Sequence, residues 1–202
     1  MDPVEVKYKT NFYSKEKTLV FSEGSLSLYC NSRLLTKIDK KEICGFRYGT
    51  KWIRFEFPIG RTYCIDITDG KNKLVKVRLR SLFLVNKQKL TKKFSGLVDT
   101  LYSFYFNEKI SNYVSEINDG TNVEIANIVF KKEGVCLDLQ KSDGLVEWDD
   151  LNSRAYTYYY TLSSKKKPDF YKAFTYLTDW NAVIVYSVSR QILVSKGLLN
   201  IS

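Results

Sequence analysis

Three carboxylates, Glu147, Asp149 and Asp150, crowd around Trp148. Paired carboxylates divide acid and base roles when their surroundings push their pKa values apart. At a strand entry beside a tryptophan, however, acidic side chains commonly face solvent or cap a turn, and that is the reading preferred for this trio. The chain contains no histidine, so the commonest general base near neutral pH and the usual nucleophile triads are absent. Glycine patterns of the dinucleotide or phosphate-loop kind are missing too. The four cysteines, Cys30, Cys44, Cys64 and Cys136, form no Cys-x-x-Cys pair and have no histidine to complete a zinc site. The expectation is a non-enzyme without metal or cofactor.

A second constellation is basic. Lys71, Lys73, Lys76, Arg78, Arg80, Lys87, Lys89, Lys92 and Lys93 follow one another with no acidic residue among them. Along a strand, side chains alternate between faces, so Lys76, Arg78 and Arg80 share one face, about 7 Å apart, opposite Val75, Val77 and Leu79. Such a row could meet phosphates or an acidic partner, and it could equally be the solvated outer face of an antiparallel sheet. Lys73, Lys76, Arg78, Arg80, Lys89, Lys92 and Lys93 are the candidate contacts for an anion or partner. Tyr156, Tyr158 and Tyr160 fall on one strand face, which suits core or sheet surface and would also serve base stacking. Alternation with Leu26 and Leu28 makes Cys30 a buried free thiol. Cys136 lies opposite Val135 and Leu137, on the face expected to be exposed.

The elements that must carry these residues are mostly strands. Short segments are expected at Leu19–Ser22, Ser25–Cys30, Arg33–Thr36, Glu42–Tyr48, Trp52–Phe57, Arg61–Thr68 and Lys73–Leu79, separated by turn signals such as Glu23-Gly24 and Asp69-Gly70. The period then changes. Leu90, Phe94, Leu97, Leu101 and Tyr105 share a helical face, predicting a helix from about Lys87 to Asn118 with a break near Asn107. Strands resume at Val123–Phe130, Gly134–Leu139, Gly144–Glu147, Leu151–Leu162, Phe170–Thr178 and Ala182–Val188. A short helix from Ser189 to Leu199 closes the chain.

The two β-rich parts repeat an order of signals. Val20-Phe21-Ser22-Glu23-Gly24, Ile38-Asp39, Ile43 and Tyr48 are answered by Val129-Phe130-Lys131-Lys132-Glu133-Gly134, Trp148-Asp149, Leu151 and Tyr156. Glu-Gly and the apolar-Asp pair both recur at an offset of 110, the self-similarity of a duplicated unit. This order of strand, Glu-Gly, strand and Trp-Asp-Asp-Leu, carried by Ile128 to Leu139 and Leu145 to Tyr160 and more weakly by Leu19 to Tyr48, resembles the bacterial pleckstrin-homology-like and GRAM-like domains. The resemblance implies a mainly β, α+β chain of two strongly bent sheets or partly open barrels. Residues 1–118 would be the first unit with its long C-terminal helix, and 119–202 the second with its short one. Phosphoinositide-binding members of the family carry a basic loop between their first two strands. Here those connections, taken as Glu23-Gly24-Ser25 and Lys131-Lys132-Glu133-Gly134, are short and acidic, so the resemblance does not extend to inositol phosphates.

The chain has 202 residues, 44% of them hydrophobic, and a formal net charge of +10. That is ample for a packed core, and the positive field favours an anionic partner, although a Lys-, Asn- and Tyr-rich composition also follows from an AT-rich genome. No run approaches the roughly 20 apolar residues of a membrane-spanning helix, and the N-terminus lacks the order of a signal peptide, so the expected location is the cytoplasm. The expected function is a binding or scaffold module for a protein partner; the alternative is a nucleic acid or another polyanion held by residues 71–93.

Overall fold

In the computed structural model, residues 2–11, 13–83, 86–138 and 144–199 are described. The chain divides into two compact units, residues 1–107 and 108–202. In the first, β1 (Val4–Tyr8), β2 (Lys17–Phe21), β3 (Ser25–Cys30) and β4 (Arg33–Asp39) form an antiparallel meander. A second meander follows, of β5 (Gly45–Arg54), β6 (Pro58–Thr68) and β7 (Leu74–Leu82). The second unit repeats the order with β8 (Val123–Ile125), β9 (Ile128–Phe130), β10 (Gly134–Cys136) and β11 (Leu145–Glu147), then β12 (Leu151–Ala155), β13 (Tyr159–Ser164) and β14 (Tyr171–Thr175). None of the four sheets closes on itself. Helix α1 (Lys87–Leu101) continues through a π turn (Tyr102–Phe106) into α2 (Asn107–Asn118), and α3 (Ala182–Ser195) ends the second unit.

The repeat is visible in the hydrogen-bond ladders. Val4, Phe21, Leu26 and Ile38 form one rung across the first four-stranded sheet. Val123, Phe130, Val135 and Val146 form the same rung in the second. The register corrects the Glu-Gly alignment. Ser22 N–H bonds to Ser25 O just as Lys131 N–H bonds to Gly134 O, so Ser25, not Gly24, is the counterpart of Gly134. Lys40 N–H donates to Gly24 O where Trp148 N–H donates to Glu133 O. Trp148 therefore answers Lys40, and Ile38 answers Val146. Ile43 and Leu151 do correspond, each donating its N–H to that shared position, Lys40 or Trp148.

Several expected elements change. A strand at Val4–Tyr8 precedes the first one anticipated, so Glu23-Gly24 joins the second and third strands. The first connection is instead residues 9–16, which carry Lys9 and Lys15. Residues 123–130 split at Ala126-Asn127, both with positive φ (51° and 60°), as a tight two-residue hairpin requires. Leu139, the expected end of the strand from Gly134, lies outside the described residues. Residues 151–162 split as well: Tyr156 and Tyr158 sit exposed around the turn while Tyr160 is fully buried, so the three do not share a face. Ala182–Val188 is helical, not extended. Its apolar run belongs to a helix buried at Val183, Ile184, Val188, Ile192 and Leu193, and a short apolar run has no period to separate the two. Cys30, the last residue of β3 beside the β3–β4 turn, is half-buried. Cys136 is also half-buried.

The π turn has a packing cause. Three consecutive residues of a regular helix spread over about 200° of its circumference, yet Phe104, Tyr105 and Phe106 are all buried. The extra residue, marked by the bond from Asn107 N–H to Tyr102 O, turns the aromatic cluster onto the first unit's core. Phe106 stacks on Phe46 with ring centres 4.3 Å apart. The Tyr105 hydroxyl donates to Ser25 O at 2.8 Å and accepts from Ser22 N–H at 3.2 Å, tying the helix to the β2–β3 turn. Burial pushes the Tyr105 phenol up to about 12 against the opposing pull of the Ser22 bond.

Candidate basic cleft

The candidate site of the first unit is a cleft of about 860 Å³ between β1 with the segment that follows it, the end of β7, and the start of α1. One wall carries Lys7, Lys9, Thr10, Asn11 and Glu16; the β7 side presents Leu79, Arg80, Leu82 and Phe83; α1 contributes Asn86, Lys89, Leu90 and Lys93. Five cations thus face one carboxylate over an apolar floor. Among the described residues, none of those five side chains is in an ion pair.

The walls are fixed by ordinary packing. Arg80 N–H donates to Thr10 O at 2.9 Å, so the chain beyond β1 runs beside β7. The buried Tyr8 hydroxyl reaches Lys76 O. Burial raises the Tyr8 phenol far above the usual range, although the Arg78 charge opposes it, so Tyr8 remains a neutral donor. Helix α1 is pinned by Phe94, packed between Tyr48 and Tyr63 at ring-centre distances of 6.0 and 5.2 Å. The Tyr63 hydroxyl and Thr91 Oγ1 also bond at 2.7 Å. With Phe94 turned to the sheet, Lys89 and Lys93, four residues apart, share the side that lines the cleft. The positive end of the α1 dipole lies beside them.

The basic segment is therefore divided among several places. Arg80, Lys89 and Lys93 come together in the cleft. Lys92 is exposed on α1 and does not line it. Lys76, Arg78 and Arg80 do share the outer face of β7, opposite the buried Val75, Val77 and Leu79. Arg78, however, is held by buried Asp66 at 2.6 Å, and Asp66 also binds Arg47 at 3.1 Å. Arg78 further donates to Ile65 O and Val77 O. Lys73 pairs with Glu42 at 3.0 Å, a contact that lowers the Glu42 pKa and raises that of Lys73. Lys7 and Lys9 escaped the sequence reading, although the alternation of Val4, Val6 and Tyr8 was available to place Lys7 on a strand and Lys9 just beyond it.

The other candidates resolve into structure. Asp150 accepts from Ser164 Oγ at 2.6 Å and from Lys166 N–H at 2.9 Å, capping the turn after β13. Desolvation pushes its carboxyl up, but these bonds and the Lys166 charge outweigh it and hold the pKa below the ordinary value. Glu147 and Asp149 are exposed. A second cavity of about 440 Å³ on the β1–β4 sheet is lined by two carboxylates, Glu5 and Glu16, and a single cation, Lys7, a charge balance unsuited to anions. Among the described residues, no group of three metal-ligating side chains forms and no helix is long and apolar enough to cross a membrane. Comparison with known protein families, curated proteins and solved structures returns no match.

Proposed function

We propose that the chain is a non-catalytic binding protein of two pleckstrin-homology-like units, and that the first unit holds an anionic partner in the basic cleft. The order of four strands, three strands and a helix, present twice, supports the family reading. The observation that carries the function is the cleft itself: Lys7, Lys9, Arg80, Lys89 and Lys93 converge on one concavity with Glu16 as the single carboxylate. A concave, low-dielectric site lined by one sign of charge concentrates its field and its counter-ions. The expected protein partner rests on no surface feature as specific, so the anionic reading takes precedence. A reducing compartment such as the cytoplasm suits the four free thiols.

Heparin, a generic polyanion, tests the proposal. Wild type should bind it with an affinity that falls steeply with salt, because association releases counter-ions. Replacing Lys7, Lys9 and Lys89 together with Gln should weaken binding at least about tenfold, whereas Lys73→Gln, outside the cleft, should leave it unchanged. Equal binding by all three proteins would refute the proposal.

A further inference from the structure

We infer that the partner held in the cleft is a single-stranded nucleic acid, its phosphates met by the lysines and its bases stacked on exposed rings at the cleft's rim. The inference rests on the anionic reading above and adds two observations.

The first is the arrangement of charge. Lys7 and Lys9 stand on one wall and Lys89 and Lys93 on the other, with Arg80 between them. Cations on facing walls embrace a flexible chain; a flat lipid surface cannot enter a concavity. At about 860 Å³ the space is in the range that holds a compact ligand, and a rigid duplex would remain outside.

The second is aromatic. Phe83, itself lining the cleft, is 74% exposed. Its N–H donates to Ile59 O, which puts it at the same sheet end as the β5–β6 turn. There Phe55 and Phe57 are 84% and 63% exposed. Tyr13, on the segment that supplies Thr10 and Asn11 to the wall, is 93% exposed. Phe83, Phe55 and Phe57, exposed at one sheet end, mark a contact surface. Rings beside a basic groove are the arrangement on which bases stack in single-strand binding, worth roughly a 5- to 150-fold change in affinity per base. At the hairpin tip the exposed Arg54 and Glu56 offset each other, so the tip contributes rings and no net charge.

The test uses the full chain and four probes: a labelled oligothymidylate, a duplex of equal length, heparin, and phosphatidylserine–phosphatidylcholine vesicles. The oligothymidylate should bind about tenfold or more tighter than the duplex. Lys9→Gln, Lys89→Gln and Lys93→Gln combined should weaken it and reduce the log–log salt slope by about 2, since each single-strand phosphate contact contributes about 0.7. Phe83→Ala should lower affinity about 5- to 150-fold with the salt slope unchanged, and Phe55→Ala with Phe57→Ala should act in the same sense. If heparin binding depends on the lysines but the duplex binds as tightly as the single strand, the inference falls and the cleft reading stands. The inference falls in the same way if vesicles bind and the oligonucleotide does not, or if Phe83→Ala changes nothing. If no probe responds to the lysine substitutions, both fall.

Discussion

Trp148 gives the second unit's fold its most quantitative test. The indole is only 4% exposed, stacks on Phe130 with ring centres 6.2 Å apart, and shares its N–H between Lys131 O and Lys132 O at 3.2 and 3.1 Å. It therefore performs two tasks, filling the core beside β9 and closing the β9–β10 turn. Removing the ring in Trp148→Ala leaves a cavity among residues that cannot collapse fully, and large aromatic truncations of this kind cost about 3–5 kcal/mol. Trp148→Phe retains an aromatic ring against Phe130 but strands two turn carbonyls, a loss of about 1–2 kcal/mol for the charge-neutral donor. Urea titrations followed by far-ultraviolet circular dichroism should place the midpoints in the order wild type, Phe, Ala. A Trp148→Ala midpoint equal to wild type would refute the buried, turn-closing role. Equal midpoints for the Phe and Ala variants would show instead that the hydrogen bonds carry the effect.

Gly134→Ala should destabilise severely, because a Cβ there would lie against Val146 O and Glu147 Cα, while Gly24→Ala, with open space around it, should change stability by less than about 0.5 kcal/mol; equal effects in thermal melts would contradict the register. Asp66→Asn should cost about 1–3 kcal/mol, the partial exposure of Arg47 and Arg78 moderating the penalty for breaking a buried ion pair, and a neutral result in denaturation would show the triad to be dispensable. Burial pushes the phenols of Tyr105 and Tyr160 up to about 12, with hydrogen bonds opposing in each case. Because the folded values exceed the unfolded value of about 10, this stability is complete below pH about 10 and is lost as pH rises toward 12, roughly 3 kcal/mol for each phenol. Tyrosinate absorbance should accordingly show a late step that coincides with unfolding, and Tyr105→Phe with Tyr160→Phe should shrink it to the part that the buried Tyr8 phenol supplies.

What the sequence revealed depended on whether a pattern had a distinct period. The stripe from Leu90 to Tyr105 is long enough to specify a helix, and Lys76, Arg78 and Arg80 alternate cleanly against Val75, Val77 and Leu79. Ala182 to Val185 is apolar at every position, so neither period is expressed and the helix read as a strand. The duplicated order of signals was legible, but a one-residue difference in the turn before Glu-Gly hid the register that only the ladders fix. The cleft was half legible. Arg80, Lys89 and Lys93 lie in one basic run, whereas Lys7 and Lys9 reach them only because the chain beyond β1 pairs with β7, a contact across about 70 residues that no local pattern encodes.

Lysine-reactivity footprinting with and without heparin examines the cleft most directly, because it reports each cation separately. Lys7, Lys9, Lys89 and Lys93 should be protected from acylation when heparin is present. Lys165, Lys166 and Lys167, an exposed basic cluster in the second unit, should react as before. Protection concentrated on Lys165 to Lys167, or spread evenly over all lysines, would contradict a binding site in the first unit's cleft.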